Sequence, residues 1–174
     1  MKLPCLFYSI VCIVFVLGCT ARNDTVLYHV HVASPVSCQF AMRVHLNGHI
    51  LPMQGEMFLG STGEGKLVLV LSYGRTLGTC TYVRTEDTDT LTLNCTLALG
   101  ERSREKHLLH LLGRAMYRVA AALTSERQSS DAMQAAGSGW KADFEHKAGC
   151  LQCLYKEDNN GLAMRIVFAK AEQP

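Results

Sequence analysis

Beyond residue 25, apolar and polar positions alternate through the first half of the chain, the period-two signature of half-buried strands. Val26, Tyr28, Val30 and Val32 fall on one face of a first strand. Cys38, Phe40, Met42, Val44 and Leu46 fall on one face of the next, with Gln39, Arg43 and His45 opposite. Asn47-Gly48 tolerates positive φ at both centres of a tight hairpin, so the chain is expected to reverse there towards Ile50 and Leu51. Met57–Leu59, Lys66–Tyr73, Thr79–Arg84 and Thr90–Leu99 read as further strands.

After Gly100 the period lengthens. Leu108, Leu109, Leu112, Ala115, Met116, Val119, Ala120 and Leu123 recur at three- and four-residue spacing, which predicts one helix over Glu101–Ser125 with an apolar stripe. Ser129–Gly137 is expected to add a short helical turn, capped by Ser130 or Asp131 and ended by Gly137. Alternation then returns at Trp140, Ala142 and Phe144, and a hairpin follows from Leu151–Tyr155 through Asp158-Asn159-Asn160-Gly161 to Met164–Phe168. The expected fold is α+β: an antiparallel sheet of seven to nine strands in meander order with one long amphipathic helix packed on it, forming a single globular domain over residues 25–174.

Residues 1–18 do not belong to that pattern. Lys2 supplies a positive charge, Leu3 to Leu17 is apolar apart from Pro4 and Ser9, and the segment ends in Val16-Leu17-Gly18-Cys19. This charged-then-apolar order is that of an export signal, and the run is short of the roughly 20 residues that span a bilayer. The segment resembles a bacterial lipoprotein signal in the relaxed form familiar in spirochaetes, with Val16 where Leu is usual. The resemblance covers residues 1–19 and implies cleavage before Cys19 and acylation of that cysteine. Two or three acyl chains give durable attachment where one gives only marginal binding, each buried methylene adding about 0.8 kcal/mol. Residues 19–24 would then be a tether reaching only about 20 Å. The expected location is the cell envelope, lipid-anchored to its membrane; Thr20 rather than Asp after the cysteine resembles an outer-membrane address.

Composition narrows the function. The 174 residues are 48% hydrophobic and 18% charged with a formal net charge of +2, which suits one buried core and argues against nucleic acid as a partner, since that affinity rests on a dense cationic surface. The helix carries Arg102, Arg104, Lys106, Arg114 and Arg118 against Glu101 and Glu105, a basic face able to rest on anionic headgroups.

Cysteine and histidine supply the candidate chemistry. If the Glu86–Asp89 turn is centred near Asp87 and Thr88, Cys80 lies directly across from Cys95, within disulfide reach, and the closed loop would contribute about 3 kcal/mol. Cys150 and Cys153 start a strand rather than a helix, which removes the dipole that activates a redox pair. His146, Cys150 and Cys153 make a weak candidate metal site if a turn forms at Ala148-Gly149. His29 and His31, on one side of a strand, with His45 and His49 at the neighbouring hairpin, make a second weak one. Gly60 to Lys66 has phosphate-loop spacing, but Leu67 stands where that motif needs Ser or Thr and a strand follows where it needs a helix.

No nucleophile elbow, zinc-protease helix or dinucleotide fingerprint is present, and no catalytic residue or cofactor is expected. The leading expectation is a non-catalytic envelope lipoprotein acting by contact with another envelope protein or the membrane surface. The alternatives are a carrier that holds an apolar ligand between sheet and helix, and an envelope enzyme without a recognisable motif.

Overall fold

A computed structural model of the chain describes residues 25–26, 35–85, 90–99, 102–124 and 132–169. The strands are β1 (Thr25–Val26), β2 (Val36–Leu46), β3 (His49–Leu59), β4 (Gly65–Leu71), β5 (Thr76–Thr85) and β6 (Thr90–Leu97). Helix α1 (Ser103–Thr124) follows, then β7 (Ala132–Gly137), β8 (Trp140–Lys147), β9 (Cys150–Glu157) and β10 (Leu162–Phe168). All pairings are antiparallel, in the order β1-β6-β5-β4-β3-β2-β10-β9-β8-β7. The fold is the α+β arrangement expected, with two meanders laid side by side. The seam between them pairs β2 with β10, running from Phe40 opposite Phe168 to His45 opposite Ala163.

Local sequence explains the turns. Asn47 and Gly48 have φ of 50° and 79° and close the β2–β3 hairpin, Leu46 facing His49. Strand β3 then runs unbroken through residues 52–56, where the sequence offered only its two ends. The segment Gly60–Gly65 closes on itself, with Gly60 N–H donating to the Glu64 carbonyl at 2.7 Å, and Lys66 enters β4 directly. It is a hairpin loop, with no helix to receive a phosphate.

One expected element is wrong. Residues 132–137 form strand β7 on β8, Gly137 facing Trp140 and Met133 facing Phe144, and not a helical turn. Six residues are too few to sustain a helix in isolation, and the regular alternation of β8 offers a ready ladder for them to join. The strand expected over Val26–Val32 extends beyond the described residues except at Val26, as does the Glu86–Asp89 turn.

The inward positions build one core. Phe40, Met42, Val44, Met53, Met57, Leu59, Leu67, Leu69, Tyr82, Leu93, Phe144, Tyr155, Met164 and Ile166 are buried on the strands, and Leu109, Leu112, Ala115, Met116, Val119 and Ala120 on the helix. Helix α1 touches β5 and β6 and also β9. From β5 to β9 there are five strand spacings, about 24 Å in a flat sheet at roughly 4.8 Å each, twice the diameter of a helix. The sheet must therefore curl about α1. Burial of Leu111, Tyr117, Ala121 and Ala122 as well as the stripe agrees with a helix covered on most sides.

Candidate functional site

The two flanks of α1 differ in chemistry. Towards β5 and β6 the contact is apolar and very close, because residue 113 is glycine: a Cβ there would lie 2.8 Å from Cys80 Sγ and 3.3 Å from the Leu93 methyls. Tyr82 Oη donates to the Gly113 carbonyl at 2.8 Å and its ring packs on Tyr117 at 5.2 Å between centroids.

Towards β8 and β9 the contact is ionic. Arg118 Nη1 donates to Glu157 Oε1 at 2.8 Å and to Tyr155 Oη at 2.9 Å, and Arg114 Nη2 reaches the same carboxylate oxygen at 3.2 Å. The Arg118 guanidinium lies 5.4 Å from the centre of the Trp140 ring, which stacks on Tyr155 at 5.9 Å. Glu157 is only 5% exposed. A carboxylate so buried is kept by its partners, since an unpaired one would bear the full desolvation cost. Arginine does not give up its proton at ordinary pH, so this cluster suits holding the helix in place and not moving protons.

Arg114 and Arg118 are thus turned inward to Glu157. This corrects the expectation that they belong to a basic helix face resting on headgroups. The sequence does carry a signal for the cluster: Cys153, Tyr155 and Glu157 share the inward register of β9, and an acid on an apolar face requires a cation. The arginines one turn apart on the helix supply two.

The expected ligand sets are not brought together. Register places Cys150 opposite Lys147, on the face of β9 away from Cys153, while His146 faces Leu151 at the exposed end of the hairpin. Cys153 is enclosed between Phe144 and Ile166, and burial, helped by the negative charge of Asp143, raises its thiol to about 12. His45 faces Ile50 and His49 faces Leu46, which puts the two imidazoles on opposite faces of the hairpin. His29, His31 and Cys19 lie outside the described residues. Among the described residues no three His, Cys, Asp or Glu side chains are grouped to hold a metal ion. Burial also raises Cys38, to about 11. Cys80 and Cys95 are direct cross-strand partners, their sulfurs 2.7 Å apart.

The outer face of the sheet holds a feature that alternation alone does not reveal. Arg43 on β2 and Arg165 on β10 are directly opposed across the seam, both exposed. Like charges in that relation disfavour the pairing. Arg165 Nη2 donates to Gln152 Oε1 at 2.9 Å, and among the described residues neither guanidinium has a carboxylate within ion-pair distance. The two arginines line a hollow of about 440 Å³ with Ala41, Pro52, Gln54 and Val167. A second hollow of about 420 Å³ adjoins it at Gln54, reaching Gln39, Glu56, Val68 and Val70. Lys156 continues the cationic band, facing Ala163 next to Arg165.

Among the described residues no helix is long and apolar enough to cross a membrane. No protein-family model matches the chain, and comparison with curated proteins finds no significant match.

Proposed function

We propose that this chain is an exported protein, held on the envelope membrane by lipid at Cys19, which works without catalysis by gripping an acidic, extended segment of another envelope protein. The observation that carries this reading is the opposed pair Arg43 and Arg165 at the rim of the outer hollow. Two guanidiniums side by side repel until an anion lies between them, and a carboxylate accepts planar, paired hydrogen bonds from each. Small or flat residues, Ala41 and Pro52, leave room for a strand of backbone over them, and Gln54 offers an amide partner, while Gln39 Nε2 donates to Glu56 Oε1 at 2.9 Å.

The alternative of an apolar carrier would need open space between sheet and helix, where the described residues bury leucines and methionines of both. Burial raises the thiols of Cys38 and Cys153, which is unfavourable for covalent catalysis at either.

The test is photo-crosslinking in the native membrane from a benzophenone amino acid at Gln54. A discrete protein adduct that disappears when Arg43→Glu and Arg165→Glu are introduced is the expected result. Adducts to lipid alone, or a protein adduct indifferent to both charge reversals, would overturn it. Intact mass of the membrane-derived protein tests the anchor: cleavage before Cys19 with added acyl mass is expected, and an unmodified chain in the medium removes the envelope premise.

A further inference from the structure

We propose that Cys80 and Cys95 are a built disulfide site, closed by oxidation to fasten β5 to β6 beneath the helix. The register pairs them directly, and their neighbours in the ladder, Thr79 with Thr96 and Thr81 with Asn94, continue it without a bulge. A separation of 2.7 Å between the sulfurs brings them closer than unbonded sulfurs comfortably approach. No other described cysteine has such a partner: Cys38 faces Met57, Cys150 faces Lys147, and Cys153 sits between Phe144 and Ile166.

The surroundings favour the bonded form. Cys80 is fully buried, pressed from the helix side by Gly113 and lying 3.5 Å from the Leu109 carbonyl oxygen, so its sulfur has no room to rotate away. Cys95 is only half-buried and offers the entry point. The chemistry is thiol–disulfide exchange with a disulfide-carrying thiol oxidase. The Cys95 thiolate attacks one sulfur of the oxidant's disulfide, whose other sulfur leaves as thiolate. Cys80, as its thiol loses a proton, then attacks Cys95 Sγ in the mixed disulfide and expels the oxidant's remaining sulfur. The protein loses two protons and two electrons, and the oxidant takes up both and leaves as a dithiol. The bridge excludes a third thiol from the pair and leaves Cys38, Cys150 and Cys153 reduced.

Two samples of the full chain separate the site from the compartment. Reduced protein exposed in vitro to an oxidised dithiol oxidase, then denatured in iodoacetamide and mapped by mass spectrometry, should yield the Cys80 peptide joined to the Cys95 peptide, with Cys38, Cys150 and Cys153 alkylated. Alkylation of both Cys80 and Cys95, or their joining to other cysteines, overturns the site. The same mapping on protein taken from its native membrane tests export: an open pair there, beside a pair that closes in vitro, would contradict the oxidising location and leave the site standing. As a second readout, reductant should lower the Tm of the oxidised chain by about 5–10 °C. It should not shift a variant carrying Cys80→Ala and Cys95→Ala. Equal response of both overturns the fastening role.

Discussion

The two flanks of helix α1 solve one docking problem by opposite means. On the β5–β6 side the helix approaches through Gly113 onto Cys80 and Leu93, and the contact is apolar. On the β9 side Arg114 and Arg118 close on Glu157 beneath Trp140. The β5–β6 flank is close-packed at Gly113 and carries one buried polar bond, from Tyr82 Oη to the Gly113 carbonyl. A carboxylate with two guanidiniums adds little net free energy after desolvation, yet each partner is costly to leave unpaired. The apolar flank supplies adhesion, and the Tyr82–Gly113 bond together with the ionic flank fixes how far along its axis the helix sits.

Breaking the ionic flank should give the largest effect. Glu157→Ala leaves two guanidiniums against an apolar floor, and a loss of about 3–5 kcal/mol is expected in chemical denaturation. If the loss is under about 1 kcal/mol, the cluster is not the lock described. Alkaline pH should act next, through two thiols shielded by the sheet, Cys153 on β9 beside the ionic flank and Cys38 on β2. Cys38 and Cys153 titrate at about 11 and about 12 in the fold against an ordinary value near 9. Between those limits the unfolded chain has lost protons that the folded chain keeps. Stability is therefore full below pH 9 and declines as pH rises towards 11 and 12, by up to roughly 1.4 kcal/mol per unit for each such thiol. Thermal midpoints from pH 8 to pH 10.5 measure this, and replacing Cys153 by Ala should flatten the decline.

On the apolar flank, Gly113→Ala sharpens the contrast. Alanine is the better helix former by about 1 kcal/mol, but its methyl meets Cys80 Sγ at 2.8 Å. Net destabilisation of about 1–2 kcal/mol is expected from overpacking, relieved when Leu93→Val is added to make room. The smallest effect on stability belongs to the outer face. Arg43→Ala or Arg165→Ala should change it by under about 0.5 kcal/mol, or raise it slightly as the repulsion goes, while abolishing the crosslink from Gln54.

The strands and helix were legible because burial on one face writes its own period. Cys38 to Leu46, Trp140 to Phe144 and the helical stripe each carry it over several residues. The facing of Cys80 and Cys95 was equally legible, because a hairpin turn sets the register of its two strands. What local pattern does not carry is which distant strands meet. The β2–β10 seam and the bond from Arg118 to Glu157, 39 residues on, follow from the whole topology. The opposition of Arg43 and Arg165 is invisible for the same reason. At β7, Ala132–Gly137 has too little hydrophobic contrast for its period to be read alone, and the neighbouring strand decides.

The seam has a consequence for the order in which the molecule is completed. Strand β2 is made well before its partner on one side, β10, at residues 162–168. Until they arrive, an eleven-residue strand keeps an open row of amides and carbonyls. The earlier strands therefore cannot settle into the finished domain until β10 has joined them.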